Sequence, residues 1–411
     1  MTEQEKYEFV YGVVYSNAQL RTTEDAQHVL NELLSLEPEW RTYYQKMGGA
    51  YRELFADIHN VIAQAYVILG KTDDAIGALN GCISTLERSD FYEYKFVVKS
   101  NVYEHLARIY SDNNADDAAK RCLRESIYNL LRGYNHTHYQ NRDFFSFREV
   151  TEYMLQSLRE DNITVTDPAE FNDPIDPLLR AHFDFQIQDC IENRRRKDAH
   201  FLGLLREIYG EVRIRCFTRM LPLEKVEGRD VSPLNAEERE INISTMWAHY
   251  AKYHKGICIK YVLPKEITDN LVDEDSVRML GAVEYRKSFD PNQDTYNVHD
   301  AFFVKSNEWA YENEARLVYF NRHNQVKFAK IDIPSECVEA IYLGLRISEE
   351  DKLKVFEAIA NKPHIKVYQM VLSRNNSFLF VPNEIERPVI EKQEDEKKGC
   401  FPLLGLLKHR E

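Results

Sequence analysis

Apolar positions over residues 1–132 recur at helical spacing, and Pro38 is the sole proline in that stretch. A 3.6-residue period with so few breakers predicts a run of amphipathic helices. Ala63, Tyr66, Gly70, Ala75, Leu79 and Cys82 form one set of offsets, and Ala107, Tyr110, Asn114, Ala119, Leu123 and Ser126 repeat it 44 residues later. Gly70 is expected to end a helix in the left-handed conformation, and Asn114 to do the same in the second copy. Thr72 and Asp73 are expected to cap the next helix. A partial third copy holds Ala26, Leu30, Leu33 and Pro38.

Beyond Gly133 the pattern changes. Residues 133–138 are turn-rich, and shorter runs of β-branched and aromatic residues succeed them. Strands are expected at Phe145–Arg148, Ile163–Val165, Ile257–Val262 and Leu317–Phe320, with a helix through Met154 and Leu158. Ser244 is expected to cap a helical turn or two over Met246–His254, which Gly256 breaks. Near the end, strands at Ala340–Leu343 and His364–Leu372 flank a helix from Glu349 to Asn361. Ser348 caps it and Asp351 completes a capping box. That is a βαβ unit with a right-handed parallel crossover. The reading is a multidomain α plus α+β chain: helical repeats over 1–132, a mixed α/β domain with a central sheet over 143–382, and a charged linker with a short apolar tail over 383–411.

The six-position offset of the first third resembles the tetratricopeptide repeat, in which antiparallel helices cross through small residues. That resemblance implies an α-solenoid whose concave groove takes a peptide or protein partner. The spacing exceeds the usual period of about 34 residues, so the copies are degenerate.

Composition narrows the function classes. The net charge is −14, which argues against general nucleic-acid or anionic-membrane binding. Arg194-Arg195-Arg196-Lys197 is the densest basic tract and reads as a solvated helix face. Seven cysteines include no CxxC pair. Cys82, Cys122, Cys216 and Cys258 read as small buried hydrophobes of a reducing, cytoplasmic compartment. The N-terminus is acidic and polar rather than a signal peptide, and no apolar window is long enough for a membrane span. His136 and His138 lack a third ligand nearby, so no metal site is expected. The tail Phe401–Leu407 reads as frayed or docked.

Three motifs carry the candidate chemistry: Phe171-Asn172-Asp173-Pro174, Met246-Trp247-Ala248-His249-Tyr250-Ala251, and Trp309-Ala310-Tyr311-Glu312-Asn313-Glu314-Ala315-Arg316. Their order, with Lys305 ahead of the third, resembles a bacterial family known only as domain of unknown function 2971, over about residues 143–345. The residues must therefore be read for themselves. The first motif is a turn in which Asn172 and Asp173 bond local backbone and Pro174 fixes the chain direction beyond it. Trp247, Tyr250 and His254 would share a helix face, as a core corner or as the wall of a pocket. Alternation would set Glu312, Glu314 and Arg316 on one strand face, as a structural ion pair on a charged strand edge or as a site gripping a ribose.

The order of strands and the late ExE motif also resemble the ADP-ribosyltransferase superfamily. This second resemblance implies NAD as co-substrate, Glu314 as catalytic residue with Glu312 as helper, and Arg148 as a phosphate or ribose contact. It further implies Lys305 or Arg316 balancing the pyrophosphate, Trp247 or Trp309 stacking on nicotinamide, and a nucleic-acid or protein acceptor. No Ser-Thr-Ser comes after the first strand, and Cys216-Phe217-Thr218 stands as a substitute wall. The expectation is a bacterial effector of the toxin or phage-defence kind. The alternative is a non-enzymatic adaptor in which these residues are core and salt bridge, and a metal-dependent nuclease is a third class. Convergence of Arg148, His249 and Glu314 on one cleft separates enzyme from adaptor.

Overall fold

The computed structural model describes residues 8, 11–12, 20–46, 49–88, 92–133, 142–173, 175–176, 178–219, 241, 243–268, 271–289, 302–323, 327–374 and 379–388. Pro174, His136, His138, most of the charged linker and the apolar tail lie outside them.

The N-terminal region is helical: α1 (Thr23–Lys46), α2 (Gly49–Ile68), α3 (Thr72–Glu87), α4 (Tyr92–Asp112) and α5 (Asp116–Gly133). Gly70 (φ 70°) and Asn114 (φ 58°) both take the left-handed conformation at the turns between helices. The small residues of the two copies are sealed at the crossings: Ala63, Ala75, Ala107 and Ala119 are all buried. Ser100 and Ser126 share a buried hydroxyl–hydroxyl bond of 3.0 Å between α4 and α5. One detail differs from expectation. Thr72 is the first helical residue, preceded by Lys71 without a side-chain cap, and Asp73 sits in the first turn, where the helix dipole favours a carboxylate. Pro38, of the partial third copy, lies inside α1.

The C-terminal region is a mixed α/β unit built on nine strands: β1 (Asp143–Arg148), β3 (Arg213–Arg219), β4 (Ile257–Val262), β5 (Leu271–Val272), β6 (Ser276–Ala282), β9 (Glu314–Asn321), β11 (Val338–Leu343), β12 (Lys366–Leu372) and β13 (Phe380–Glu384). Their order is β13-β12-β11-β4-β1-β3-β9-β6-β5. The β11–β12 pair is parallel, as its crossover through a helix at Glu349–Ala358 requires, with Ser348 Oγ accepting from Asp351 N. The strand β2 (Asn162–Val165) instead pairs with β10 (Ala329–Asp332) in a small sheet of its own, and β7 (Glu284–Arg286) pairs with β8 (Val304–Ser306) in another.

Helices cover both faces, the usual solution for a sheet that is apolar on each side. Helix α6 (Glu152–Arg159) and the crossover helix pack on one face, through Met154, Leu155, Val355 and Phe356. On the other, α5 joins α7 (Leu178–Glu192) and α8 (Arg196–Tyr209) against the inner strands, so Leu123, Phe201, Ile214 and Phe320 belong to one core. The helical region and the sheet thus share apolar packing, reinforced by Arg124–Glu211 and Arg322–Glu125 ion pairs. The basic tract forms the turn from α7 into α8, with Arg194 left-handed and Arg195 paired with Asp189.

One irregularity positions the site. Strand β1 pairs with β4 along its whole length, but with β3 only at Phe144↔Arg219 and Phe145↔Thr218. Beyond that point the two strands splay apart. Ile214 exchanges both backbone bonds with Thr166 instead.

Candidate functional site

A cavity of about 400 Å³ opens at the splay, within the usual size range of ligand sites. Ser146 and Arg148 line it from β1, Arg215, Cys216 and Thr218 from β3, and His249 and Tyr250 from the second motif. Asn172, Asp176, Lys305, Glu312 and Glu314 complete the wall. Arg148, His249 and Glu314, far apart in sequence, therefore meet on one cavity.

Asp176, Lys305, Glu312 and Glu314 on that wall form, with Arg316 behind it, a buried ionic cluster of three carboxylates and two cations. Glu314 and Arg316 lie on the same face of β9, with Arg316 Nε 2.8 Å from Glu314 Oε1 and Nη2 3.1 Å from Oε2. Arg316 also donates to Asp176 Oδ2 at 2.5 Å and to the Phe302 carbonyl at 2.8 Å. Lys305 Nζ reaches Glu312 Oε2 at 2.7 Å, Asp176 Oδ2 at 3.2 Å and Glu314 Oε2 at 3.3 Å. Arg316 is fully buried. A charge without water needs this many partners, because desolvation of each ion costs several kcal/mol.

The electrostatics separate the two glutamates. Burial alone would raise the Glu314 carboxyl, but Arg316 and Lys305 overcome it and hold it down at about 2. Glu312 goes the other way: burial, with Glu314 beside it, raises its carboxyl against the pull of Lys305. Lys305 resists its own burial because Glu314, Asp176 and Glu312 surround it, and it is raised. Tyr250 donates its hydroxyl to Glu312 Oε1, and burial and that carboxylate push the phenol up. Of the pair, Glu312 is the carboxyl that takes up a proton more readily, while Glu314 is held ionised.

Local backbone explains how both reach the cluster. Glu312 ends a 3₁₀ turn (Asn307–Glu312) and is not in the strand, which corrects the expected alternation. Asn313 is left-handed (φ 45°) and locks to β3, its side chain donating to Arg219 O at 2.7 Å. Only Glu314 and Arg316 then alternate on β9. That strand lies between β3 and β6, so the pair is interior and not a charged edge.

The first motif latches onto the same cluster. Phe171 lies under the Arg316 guanidinium at 5.7 Å, and Asn172 Nδ2 donates to Tyr250 Oη at 3.4 Å. Asp173 serves the turn itself, accepting from Ile175 N at 2.9 Å, and does not line the cavity.

Other expected roles are corrected. Trp247 is wholly buried, edge-on to Phe147 at 5.3 Å with its indole N–H on the Ile241 carbonyl, so it is core and no ligand can stack on it. Trp309 carries Lys305 over its ring at 5.0 Å and does not line the cavity. Arg316 does not line it either, and Lys305, which does, is shared among three carboxylates. The helix α9 (Ser244–His249) starts at Ser244 after Ile243, without a side-chain cap. It stops at His249, and Lys252, Tyr253 and His254 are consecutive left-handed residues. His249 Nδ1 lies 3.1 Å from Tyr311 Oη.

Sequence reasoning passed over Asp176, Ser146 and Arg215. Nothing in its strand marks Arg215 out, because Arg213 and Arg219 are cations of the same strand. Arg215 is 8 % exposed, its Nη2 donates to Ser146 Oγ at 2.8 Å across the splay, and its Nε has no partner. Burial pulls its guanidinium down. Among the described residues no group of three His, Cys, Asp or Glu is placed to hold a metal ion, and no helix is long and apolar enough to cross a membrane.

No curated protein and no solved structure matches the chain. Residues 246–317, which enclose the second and third motifs but not the first, match the family model described as protein of unknown function (DUF2971).

Proposed function

We propose that the α/β region is a glycosyl-transferring enzyme that cleaves the nicotinamide–ribose bond of NAD, in the manner of an ADP-ribosyltransferase, and that the helical region is a tetratricopeptide-like solenoid recruiting a protein partner. The observation that carries the first part is the meeting of Arg148, His249, Glu312 and Glu314 on one cavity. Five carboxylates face three cations along its lining, an environment that favours a cationic ring and a developing oxocarbenium ion. Glu314 supplies a fixed negative charge. The glycosidic C–N bond breaks with its electron pair left on the nicotinamide nitrogen. A bond forms from the ribose carbon to water or to an acceptor nucleophile, whose proton passes to the Glu312 carboxylate. The second part is supported by the matching burial and the matching left-handed turns of the two helical copies. Together these fit an effector of the toxin or phage-defence kind.

NAD consumption by the full chain, with and without nucleic acid and cell lysate, tests the reading. Glu312→Gln and Glu314→Gln are expected to lower turnover about 100-fold or more while circular dichroism stays unchanged. Unchanged turnover in both folded variants sinks it.

One observation favours an adaptor instead: both oxygens of Glu314 are held by Arg316 and Lys305, so that carboxylate is satisfied without a ligand. Under that reading NAD gives neither turnover nor a thermal shift, and the helical region captures its partner regardless of Glu312.

A further inference from the structure

A second cavity of about 540 Å³ adjoins the first on the side of α6. Arg148, Arg215, Thr166 and Glu170 line both. The charge balance reverses between them. In the second, Arg148, Arg215, Lys327 and Lys330 face the single carboxylate of Glu170, in a chain whose net charge is −14. Lys330 is engaged with Glu160 at 2.6 Å, whereas Arg148, Arg215 and Lys327 have no ion pair among the described residues.

The register sharpens this. Pairing of β1 with β3 stops at Phe145↔Thr218. Continued along the two strands, the same antiparallel register sets Arg148 opposite Arg215 across the splay. Like charges in opposed positions repel, and a buried guanidinium normally carries a carboxylate. Arg215 is more than nine-tenths buried, donates to the neutral Ser146 hydroxyl through Nη2 and leaves Nε without a partner. Two facing arginines without an ion-paired acid make a site for an external anion, and guanidinium groups fit the oxygens of phosphate. Two exposed rings line the same cavity, Tyr153 at 80 % and Phe328 at 49 % exposure. They are flat apolar surfaces beside the positive charge, suited to stacking a base.

We infer that this second cavity binds the phosphate of a nucleotide, held by Arg215 and Arg148 with Lys327 at the rim and the base against Tyr153 or Phe328. The inference stands on two arginines without an ion pair, one of them bonded only to the hydroxyls of Ser146 and Tyr261, and is separable from the glycosidic chemistry above. Where both hold, Arg215 takes the place at the phosphate that Arg316, off the cavity lining, does not fill.

Calorimetric titration of the full chain with AMP, adenosine and inorganic phosphate tests it. AMP is expected to bind at least about tenfold more tightly than adenosine, and Arg215→Gln to weaken AMP about tenfold or more. Because Arg215 is buried, the exposed Lys327→Glu and Phe328→Ala are titrated beside it, and each is expected to weaken AMP without lowering the melting temperature. Adenosine binding as tightly as AMP, or AMP binding unchanged in Arg215→Gln and Lys327→Glu, overturns the inference. Displacement of AMP by NAD supports a site for the second half of the same dinucleotide, and binding of AMP alongside NAD supports a separate nucleotide acceptor. If NAD neither binds nor turns over while AMP binding persists and depends on Arg215, the NAD reading fails and the phosphate site stands.

Discussion

Glu314 and Arg316 face each other from one side of β9 through two hydrogen bonds, 2.8 and 3.1 Å long, with both side chains out of water. Removing the cation alone leaves Glu314 and Asp176 buried with only Lys305 between them. Arg316→Met is therefore expected to cost about 3–5 kcal/mol in urea unfolding. Arg316→Met with Glu314→Gln is expected to recover part of that loss, since the second change removes the stranded charge. A double variant as unstable as the single one contradicts the pairing.

The same pair sets an acid limb. Glu314 is depressed in the folded chain, to about 2 from an ordinary 4.5. A depressed carboxyl gives stability that is present above its unfolded value and is lost as pH falls through the folded one. The contribution of Glu314 is thus complete above about pH 4.5 and disappears toward pH 2. Denaturant unfolding of wild type and Glu314→Gln across that window should differ in slope by about one proton. Glu312, raised by burial, acts in the opposite sense, since protonation relieves its buried charge, so Glu312→Gln should not flatten this limb.

Tyr250 donates to Glu312, so Tyr250→Phe withdraws a bond to a charged acceptor. A loss of about 1.5–3 kcal/mol is expected in thermal unfolding, and the Glu312 carboxyl should rise further. If the enzyme reading holds, the acid side of the pH profile for turnover moves up by the same change, which a change in packing alone would not produce.

Gly256 touches the end of β1 so closely that a Cβ there would lie 2.1 Å from the Arg148 carbonyl oxygen. Gly256→Ala must push that strand end aside. It should cost about 1–3 kcal/mol and weaken AMP binding through Arg148, read together by melting and calorimetry.

Much of the fold was legible because it rests on local rules. Gly70 and Asn114 announce left-handed turns, Ser348 announces its helix, and short apolar runs flanking that helix announce a parallel pair. The chemistry was legible only in part. Glu312, Glu314, Arg148 and His249 meet on one cavity as the enzyme reading requires, yet Trp247 and Arg316 belong to the interior. Nothing near them in sequence says so: Trp247 is enclosed by Phe147, from a strand about 100 residues earlier, and Arg316 by Asp176, about 140 residues earlier. Asp173 looked like a site residue because of its motif, but its carboxylate is consumed by the turn it makes. Arg215 was overlooked because its meaning lies in the absence of an ion-paired acid across a strand gap, a property of the sheet and not of any local spacing.

That gap has a mechanical consequence. Backbone pairing joins the nine strands as five and four, β13 through β1 and β3 through β5, at two residue pairs, beside the bond from Arg215 to Ser146 and a core in which Phe217 and Leu317 pack with Ile257 and Tyr261. The ladder is thus two leaves whose backbone pairing meets at Phe144–Phe145. The leaf bearing Glu314 is fastened to α5 and α8 through a common core, while the leaf bearing Arg148 is not part of that core. A load placed on the helical stack would reach one jaw of the cavity before the other.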